Sequence, residues 1–324
     1  MKFKDTDYGD LTGQHYDGFI EVSDMGLTSL EGAPESVSDG FYCSGNELKT
    51  LEGAPKEVRG NFHCDFNQLT SLKGAPEKVS GEFFCYENQL TSLKGAPKVV
   101  DGTFDCSANH LTSLEGAPKK VGDTFRCSYN KLKSLKYAPK EVGGIFDCSR
   151  NKLTTLDGIP KIIGKKIQCS SNQLTTLKGC PEKVSAFLCN NNNLTTLEGG
   201  PKIVEGEFHC TDNKLTSLKG APKYVGGKFI CHSNELKTLD GLPETIGDDL
   251  FCDRNQLTTL KGGVVEKVKG KISCSENSNK NLEEEYKLRK ENPDFTEDEV
   301  NAKMIEKGYY EHYASEEVKD MFLF

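Results

Sequence analysis

Residues 111–131 read LTSLEGAPKKVGDTFRCSYNK, and the chain repeats this text on both sides with small changes. The preceding 21 residues read LTSLKGAPKVVDGTFDCSANH, and the following 21 read LKSLKYAPKEVGGIFDCSRNK. Such units open with leucine at residues 27, 48, 69, 90, 111, 132, 153, 174, 194, 215, 236 and 257. The period is 21 residues, with one step of 20 between 174 and 194. A period of this length predicts a stacked fold, because one unit alone buries too little apolar surface to stay folded.

The second half of each unit carries the pattern F-x-C, whose period of two is typical of a β-strand. Phe and Cys then lie on the same side of the strand, and we expect both to point inward. Cysteines fill this slot twelve times, from Cys43 to Cys274. Their spacing lacks the C-x₂-C element of zinc sites, and in-register parallel strands suit disulfides poorly. We therefore interpret them as small buried apolar side chains, and we assign Cys180, the single thiol outside this slot, an inert packing role.

Three other features describe the rest of the unit. An asparagine three residues after each of these cysteines is expected to bond the backbone of its own turn and of the neighbouring turn. Prolines such as Pro118 predict an extended or polyproline return segment in place of a helix. Glycine usually precedes the Ala-Pro pair, but Tyr137 stands there once, from which we expect that the slot does not strictly demand a positive φ.

Read from its Phe, the unit becomes F-x-C-x-x-N-x-L-x-x-L, which resembles the leucine-rich repeat core L-x-L-x-x-N-x-L. The short return G-A-P-x-x-V resembles the compact repeats of secreted bacterial effectors, and similar text occurs in uncharacterised bacteriophage proteins. The resemblance covers about four fifths of the chain. It implies an α+β repeat solenoid: a leucine-rich repeat horseshoe with a parallel β-sheet on the concave face, an extended, polyproline-like convex side and a helical C-terminal cap.

Three segments follow from the repeat boundaries. Residues 1–26 are expected to form an N-terminal cap, for which a hairpin is one form, with Ile20 and Val22 in inward slots. Residues 27–277 contain the twelve repeats. Residues 278–324 are expected to form a helical C-terminal cap, because an open solenoid exposes its last apolar face.

The tail after residue 278 carries helix signals. Leu282 and Tyr286 are four residues apart, and Pro293 ends their segment. Thr296 with Glu299 forms a capping-box pair, which predicts a second helix with Val300 and Met304 on its apolar stripe and Gly308 at its end. Ser315 is a candidate cap for a third helix, and residues 321–324, Met-Phe-Leu-Phe, are a candidate hydrophobic contact for a partner or a second copy.

The composition excludes several classes of function. The net charge of −8 argues against a nucleic-acid partner, which a protein binds by neutralising phosphates. The N-terminus lacks the apolar region of a signal peptide, and no stretch reaches the ~20 apolar residues of a membrane span. We therefore expect a cytoplasmic protein with no membrane partner, located in the host cytoplasm if the source is viral.

The variable positions between the repeated ones predict where a partner binds, because on a leucine-rich repeat they project from the concave sheet. Three groups of residues stand out there. The first, called here the aromatic patch, consists of Tyr42, His63, Phe66, Phe84 and Tyr86. The second, the charged centre, consists of Asp105, Arg126, Tyr129, Asp147 and Arg150. The third, the mixed apolar patch, consists of Leu188, His209, Ile230, His232 and Phe251.

Catalytic chemistry is disfavoured on such a face. Asp105 and Asp147 lie two strands apart, roughly 10 Å, which is close to the carboxylate spacing of inverting glycosidases. Arg126 stands between them, however, and an open sheet excludes no water, so we expect an Asp–Arg–Asp ladder that supports the stack. His209 and His232, with Asp212 and Asp253 near them, leave a surface metal site as a weaker alternative. We predict no catalytic residue, no metal and no cofactor.

The hypothesis that follows is a non-enzymatic protein-binding module, with a protein as partner. The similarity to bacteriophage repeats suggests a phage-encoded inhibitor of a host antiviral-defence protein, a step that rests on analogy. The alternative is a self-assembling structural protein joined through residues 321–324. A ligase of the effector type is disfavoured, because no cysteine follows Cys274.

Overall fold

The computed structural model describes residues 1–261 and 264–309 as a solenoid in which each repeat forms one coil. Across these residues the largest sheet, sheet A, has thirteen strands, and each pairs in parallel with the equivalent strand of the next coil. The strands are Ile20–Glu21, Phe41–Tyr42, Phe62–His63, Phe83–Phe84, Phe104–Asp105, Phe125–Arg126, Phe146–Asp147, Lys166–Gln168, Ala186–Leu188, Phe208–His209, Phe229–Ile230, Leu250–Phe251 and Ile272–Ser273. The predicted horseshoe with a parallel concave sheet is confirmed.

The inward side of sheet A is the core. Phe104 pairs with Phe125, and Phe125 pairs with Phe146, so the rings stack along the solenoid with centroids 5.7 and 5.8 Å apart. Each ring and each cysteine of the F-x-C pattern is buried, as are the two leucines that open the coil. Burial of one such large side chain stabilises the fold by about 1.5–3 kcal/mol. The inward orientation of Phe and Cys is confirmed.

The asparagine column closes the turn after each strand. In the central coil the side-chain nitrogen of Asn130 donates to the carbonyl oxygens of Cys106, Cys127 and Ser128, at 3.0, 3.2 and 3.1 Å. Its side-chain oxygen accepts from the backbone N–H of Leu111 at 2.9 Å. Two of these partners belong to the preceding coil, so the amide bonds both turns as expected.

The return segments build two further parallel sheets. The first contains His15–Tyr16, Ser36–Val37, Glu57–Val58, Lys78–Val79, Val99–Val100, Lys120–Val121, Glu141–Val142 and Ile162–Ile163. The second contains Lys183–Val184, Ile203–Val204, Tyr224–Val225 and Thr245–Ile246. The interruption falls at the 20-residue repeat, where Ser185 alone separates the return strand from the strand of sheet A. Sheet A passes this point without a break.

The glycine slot before Ala-Pro is left-handed in these coils. Gly116 has a φ of +93°, and a Cβ there would lie 2.5 Å from the backbone of Leu93. Tyr137 keeps the same conformation, with a φ of +72°. The expectation that this slot does not demand a positive φ was wrong: the turn imposes it, and tyrosine adopts a conformation that disfavours its side chain.

The N-terminal segment forms one further coil and a short turn that covers the end of the Phe stack. Its strands His15–Tyr16 and Ile20–Glu21 belong to different sheets and pair in parallel with the next coil, so they do not form a hairpin. Ile20 and Val22 are buried in the inward slots, as expected. A 3₁₀ turn at Phe3–Asp5 places the ring of Phe3 on that of Phe41, 6.1 Å between centroids, at the end of the Phe stack.

The described residues near the C-terminal end contain three α-helices: α1 at Val264–Lys267, in the return segment of the twelfth repeat, and then α2 at Leu282–Glu291 and α3 at Glu297–Glu306 after the last strand of sheet A. Leu282 of α2 packs into the main core, whereas Val300 and Met304 of α3 pack with Leu288 in a small second core. The Thr296–Glu299 capping box forms, and Gly308 has a φ of +74° after α3. The candidate third helix at Ser315 and residues 321–324 lie outside the described residues.

A buried carboxylate attaches α2 to the last repeat. Glu285 is fully buried, and its Oε1 accepts from the backbone N–H of Leu260 at 3.0 Å and from the hydroxyl of Thr259 at 3.1 Å. Arg289 pairs with the same carboxylate at 2.9 Å and with Glu297 of α3 at 2.8 Å. The chain of charges therefore joins the last repeat, α2 and α3.

Candidate functional site

The residues between Phe and Cys form one continuous outward column on sheet A. Tyr42 pairs with His63, His63 with Phe84, and the register continues through Asp105 and Arg126. Side chains on adjacent parallel strands lie about 4.8 Å apart, so these neighbours contact each other. The sequence therefore placed this column correctly, although its role in binding stays a prediction.

The aromatic patch is assembled by ring contacts. His63 stacks on Phe84 with centroids 4.3 Å apart, and Tyr42 meets the edge of His63 at 5.0 Å. Tyr86 lies 5.8 Å from Phe84 and 5.3 Å from Phe66. All five predicted residues therefore belong to one cluster that spans three coils.

Sequence reasoning missed a further outward column, the residue before the inward Phe. Phe19 in this column contacts Tyr42 at 6.4 Å and extends the aromatic patch by one coil. Glu82, in the same column and one coil after His63, places its Oε2 3.7 Å from Nε2 of His63. The period of two that identified F-x-C also places the residue before Phe outward, so the signal was present.

His63 is partly removed from water inside this cluster. Its Nε2 atom is buried and has no hydrogen-bond partner among the described residues. Burial lowers the pKa of His63 below its usual value, although the carboxylates of Asp65 and Glu82 act in the opposite direction. The imidazole is therefore mainly neutral at pH 7.

The second residue after each cysteine has a left-handed backbone. Phe66, Tyr129 and Arg150 have φ values of 51°, 54° and 52°. Asn, Asp and Gly adopt this conformation most readily, and bulky residues do so at a cost. Phe66 and Tyr129 are each 55 % exposed, so burial does not offset that cost.

The charged centre differs in part from the expectation. Arg126 Nη1 lies 3.6 Å from Asp105 Oδ2, whereas Asp147 accepts from the backbone N–H and hydroxyl of its own Ser149 at 2.9 and 2.6 Å. The expected Asp–Arg–Asp ladder is therefore formed on one side only, although Asp105 accepts the same kind of turn hydrogen bond, from the backbone N–H of Ser107 at 2.9 Å. Burial raises the pKa of Asp105, and Arg126 moderates the rise.

Arg150 takes a different partner from Arg126. Its guanidinium lies over the ring of Tyr129, 4.7 Å from the centroid, which is a cation–π contact. The five residues of the charged centre thus form an Asp–Arg pair beside a Tyr–Arg pair, with Asp147 hydrogen-bonded between them.

Charged side chains that contact one another lie beside the mixed apolar patch. Glu207, in the overlooked column, lies 3.3 Å from His209 Nε2 and 3.6 Å from Lys166 Nζ. Lys228 lies 3.6 Å from Asp249 and 5.5 Å from the ring centroid of Phe251. Burial lowers the pKa of His209.

Ile230 connects this patch. It pairs in register with His209 on one side and Phe251 on the other, and His209 pairs with Leu188. His232 lies one slot further along and contacts the hydroxyl of its neighbour Ser233 at 3.1 Å. Within the described part of the chain, no three His, Cys, Asp or Glu side chains are grouped so that they could hold a metal ion.

Solved structures of other proteins are similar to this fold. No protein-family model and no curated protein matches the chain. The structure is similar to the leucine-rich repeat domain of APL1B, with a TM-score of 0.60 and 20 % identity over 80 % of this chain and 79 % of that one. It is also similar to YopM, described as a leucine-rich effector protein, from Yersinia pestis, with a TM-score of 0.53 and 19 % identity over 80 % of this chain and 77 % of that one. The fold is a leucine-rich repeat solenoid.

A second YopM, from Yersinia enterocolitica WA-314, matches with a TM-score of 0.52 and 18 % identity over 78 % of this chain. The chain spans 65 % of that protein's length. At these identities the likeness concerns the leucine-rich repeat fold alone.

The thiols of the leucine-rich repeats lie behind the outward face. The twelve cysteines of the F-x-C slot are buried, and burial raises their pKa values, so they are protonated at neutral pH. The thiol of Cys106 contacts the carbonyl oxygen of Arg126 at 3.2 Å, one coil ahead. Cys180 is half-buried on the return side.

No helix among residues 1–261 and 264–309 combines the length and apolar character that crossing a membrane requires.

Proposed function

We propose that the chain is a non-enzymatic protein-binding module, and that the outward face of sheet A holds the partner. The observation that carries this proposal is the pair of exposed rings at left-handed positions, Phe66 and Tyr129. Their left-handed backbone lowers stability, and side chains this exposed gain little burial energy to offset that cost. The stability of the fold therefore does not explain why aromatic residues stand at these two positions. Aromatic and Arg side chains are the types that dominate binding energy at protein interfaces.

The geometry of the three patches supports the same proposal. The rings and charges form a continuous strip along the solenoid, as an extended contact with a protein requires, whereas small molecules bind mostly in enclosed clefts. The partner we propose is a bacterial protein met in the cytoplasm. A component of host antiviral defence, inhibited by a phage-encoded chain, is the finer form of this proposal and rests on the resemblance of the repeats.

The experiment is capture from bacterial lysate with tagged protein. A variant with Tyr42, Phe84, Arg126 and Phe251 replaced by alanine is expected to lose the specifically captured protein. A matched control replaces Val99, Lys120, Ile162 and Tyr224, which lie on the outer side of the return sheets, and is expected to capture as the wild type does. Identical captures by wild type and the concave-face variant would contradict the proposal.

Self-association through residues 321–324 is the competing proposal, supported by the apolar sequence at that end. Light scattering over a range of concentrations separates the two. A chain that stays monomeric at high concentration excludes assembly, whereas a dimer lost on removal of these four residues would support it.

A further inference from the structure

The first five coils of the concave face carry no cationic side chain. The strands from Ile20–Glu21 to Phe104–Asp105 present four outward slots per coil: the residue before the inward apolar residue, the one after it, and the first and second residues after the cysteine. These positions contain no Lys and no Arg. Their acidic residues are Glu21, Asp24, Asp65, Glu82, Glu87 and Asp105. We call these slots of the five coils the N-terminal face.

The remaining eight coils are balanced in the same slots. Their cations are Arg126, Arg150, Lys166, Lys228, Arg254 and Lys271, and their acids are Asp147, Glu207, Asp212, Asp249, Asp253 and Glu276. Four of these six cations are paired with acids: Arg126 with Asp105, Lys166 with Glu207, Lys228 with Asp249, and Arg254 with Glu276. Charge on this part of the face is therefore largely satisfied within the chain.

Except for Asp105, which pairs with Arg126, the acids of the N-terminal face have no Lys or Arg partner among the described residues. Glu21, Asp24 and Glu87 are exposed and form no ion pair among the described residues. Asp65 is buried and accepts from the hydroxyl of Ser44 at 2.8 Å. A row of carboxylates without counter-ions on one surface produces a negative potential that attracts cations.

The same five coils carry the unbroken line of rings. Phe19, Tyr42, His63, Phe84, Tyr86 and Phe66 contact one another in that order. The two end rings, Phe19 and Phe66, are 56 % and 55 % exposed. The face of an aromatic ring attracts Lys and Arg, and adjacent carboxylates strengthen that attraction. Rings and acids thus select the same kind of ligand for independent reasons.

We propose that the N-terminal face binds a cationic segment of the protein partner, with Arg or Lys side chains lying over the rings and facing Glu21, Glu82 and Glu87. This inference rests on the proposed binding function and names the chemistry of the partner. Charge complementarity carries it: an acidic or phosphate-bearing partner would be repelled along the N-terminal face. Arg126, which pairs with Asp105, is the first cation beyond the N-terminal face, and the proposed contact ends there because like charges repel.

The test uses the full chain and a defined probe. A fluorescein-labelled peptide of four Gly-Arg units is titrated by fluorescence anisotropy, beside the same peptide with citrulline in place of arginine. The site variant carries Glu21→Gln, Glu82→Gln and Glu87→Gln. The control variant carries Glu52→Gln, Glu115→Gln and Glu198→Gln, three exposed carboxylates of the return side that pair with lysines. Both variants lose three negative charges, so a difference between them reports position.

We expect the arginine peptide to bind at least about tenfold more tightly than the citrulline peptide. The site variant is expected to weaken arginine binding by about fivefold or more, and the control variant by less than about twofold, with affinity falling as salt rises. Equal binding of the two peptides, or equal losses in the two variants, would overturn the proposal. A citrulline peptide that binds as well as the arginine peptide would show that the rings alone form the contact.

The outcomes also separate the two proposals. If lysate capture depends on the concave face but the peptides are not distinguished, the binding function stands and the cationic specificity falls. If capture is unaffected by the concave-face substitutions, the binding function fails, whichever peptide binds.

Discussion

Phe125 and Arg126 are neighbours on one strand, yet they belong to regions of the molecule that follow different rules. Phe125 points inward and contacts a phenylalanine of the coil before it and another of the coil after it. Arg126 points outward, is 41 % exposed, and meets one aspartate. A change in an inward column must fit two copies of the same residue in a packed interior, whereas a side chain in an outward column can vary more widely because it borders solvent. The uniform inside and the varied outside therefore separate what folds the chain from what is available for binding.

The largest expected effect tests this contrast directly. Phe125→Ala leaves a cavity in the stack and is expected to lower the free energy of unfolding by about 3–5 kcal/mol. Arg126→Ala, one residue away, loses a surface ion pair worth about 1 kcal/mol or less. Urea unfolding followed by circular dichroism measures both. Similar losses in the two variants would remove the distinction between the columns.

The asparagine column is expected to come second. Asn130→Ala leaves three carbonyl groups and the N–H of Leu111 without their partner in a buried turn, at a cost of about 2–4 kcal/mol. Lys131→Ala, the adjacent exposed position, serves as the control and should change stability by less than about 0.5 kcal/mol. Hydrogen exchange at the Leu111 amide should accelerate in the first variant alone. Unchanged protection there would mean that water replaces the amide freely.

A smaller effect, of opposite sign, is expected at the left-handed slot. Glu87 has a φ of 50° and is exposed, so Glu87→Asn should raise the free energy of unfolding by about 0.5–1 kcal/mol, because asparagine adopts this conformation more readily. Glu87→Gln removes the same charge without that preference and should leave stability nearly unchanged. Both variants should bind the arginine peptide more weakly. An equal gain in stability from both would assign the effect to charge repulsion and not to the backbone.

The smallest expected effect is a dependence of stability on pH, caused by His63 and His209, two partly buried histidines of the outward face. Burial lowers the pKa of His63 and His209, so the unfolded chain takes up protons at these sites at a higher pH than the folded chain does. Stability should therefore be full above pH 6.5 and decrease as the pH falls below it. Replacing both histidines by glutamine should flatten this slope, whereas His110→Gln, at an exposed position, should not. Urea midpoints between pH 7.5 and 5.5 measure the slope, and a slope that persists in the double variant would place the protons elsewhere.

Most of the fold could be predicted from short sequence patterns within each repeat. The period of two in F-x-C fixed the inward columns, the position of Asn130 fixed its bonds, and Thr296 with Glu299 fixed the start of α3. In each case the physical cause lies within a few residues along the chain, or in the neighbouring copy of the same text. The grouping of Tyr42, His63, Phe84 and Tyr86 could be predicted for the same reason, since the coil-to-coil register is set by the repeat.

Several features could not be predicted because they depend on contacts between non-equivalent residues. Tyr137 keeps a positive φ because the turn is held by its neighbours, which the residue type does not reveal. Arg126 pairs with Asp105 and not with Asp147, although each aspartate accepts from the serine two residues later, so the sequence offers Arg126 two equivalent neighbours. Glu285 pairs with Arg289 and accepts from the backbone N–H of Leu260 in the last coil, a contact that depends on the path of the chain between them.

The sequence by itself determined that the chain folds as a stacked solenoid. The reason is that twelve similar repeats can satisfy their strand hydrogen bonds and bury their Phe, Leu and Cys side chains only against one another. What the tertiary structure alone decided is how the outward residues share their charges and rings. Glu207 is engaged by Lys166 two coils before it, while Glu21 and Glu87 form no ion pair with any residue that the structure describes. The reason is physical: repeated packing is a property of each unit, whereas the pairing of surface charges depends on distances between different units.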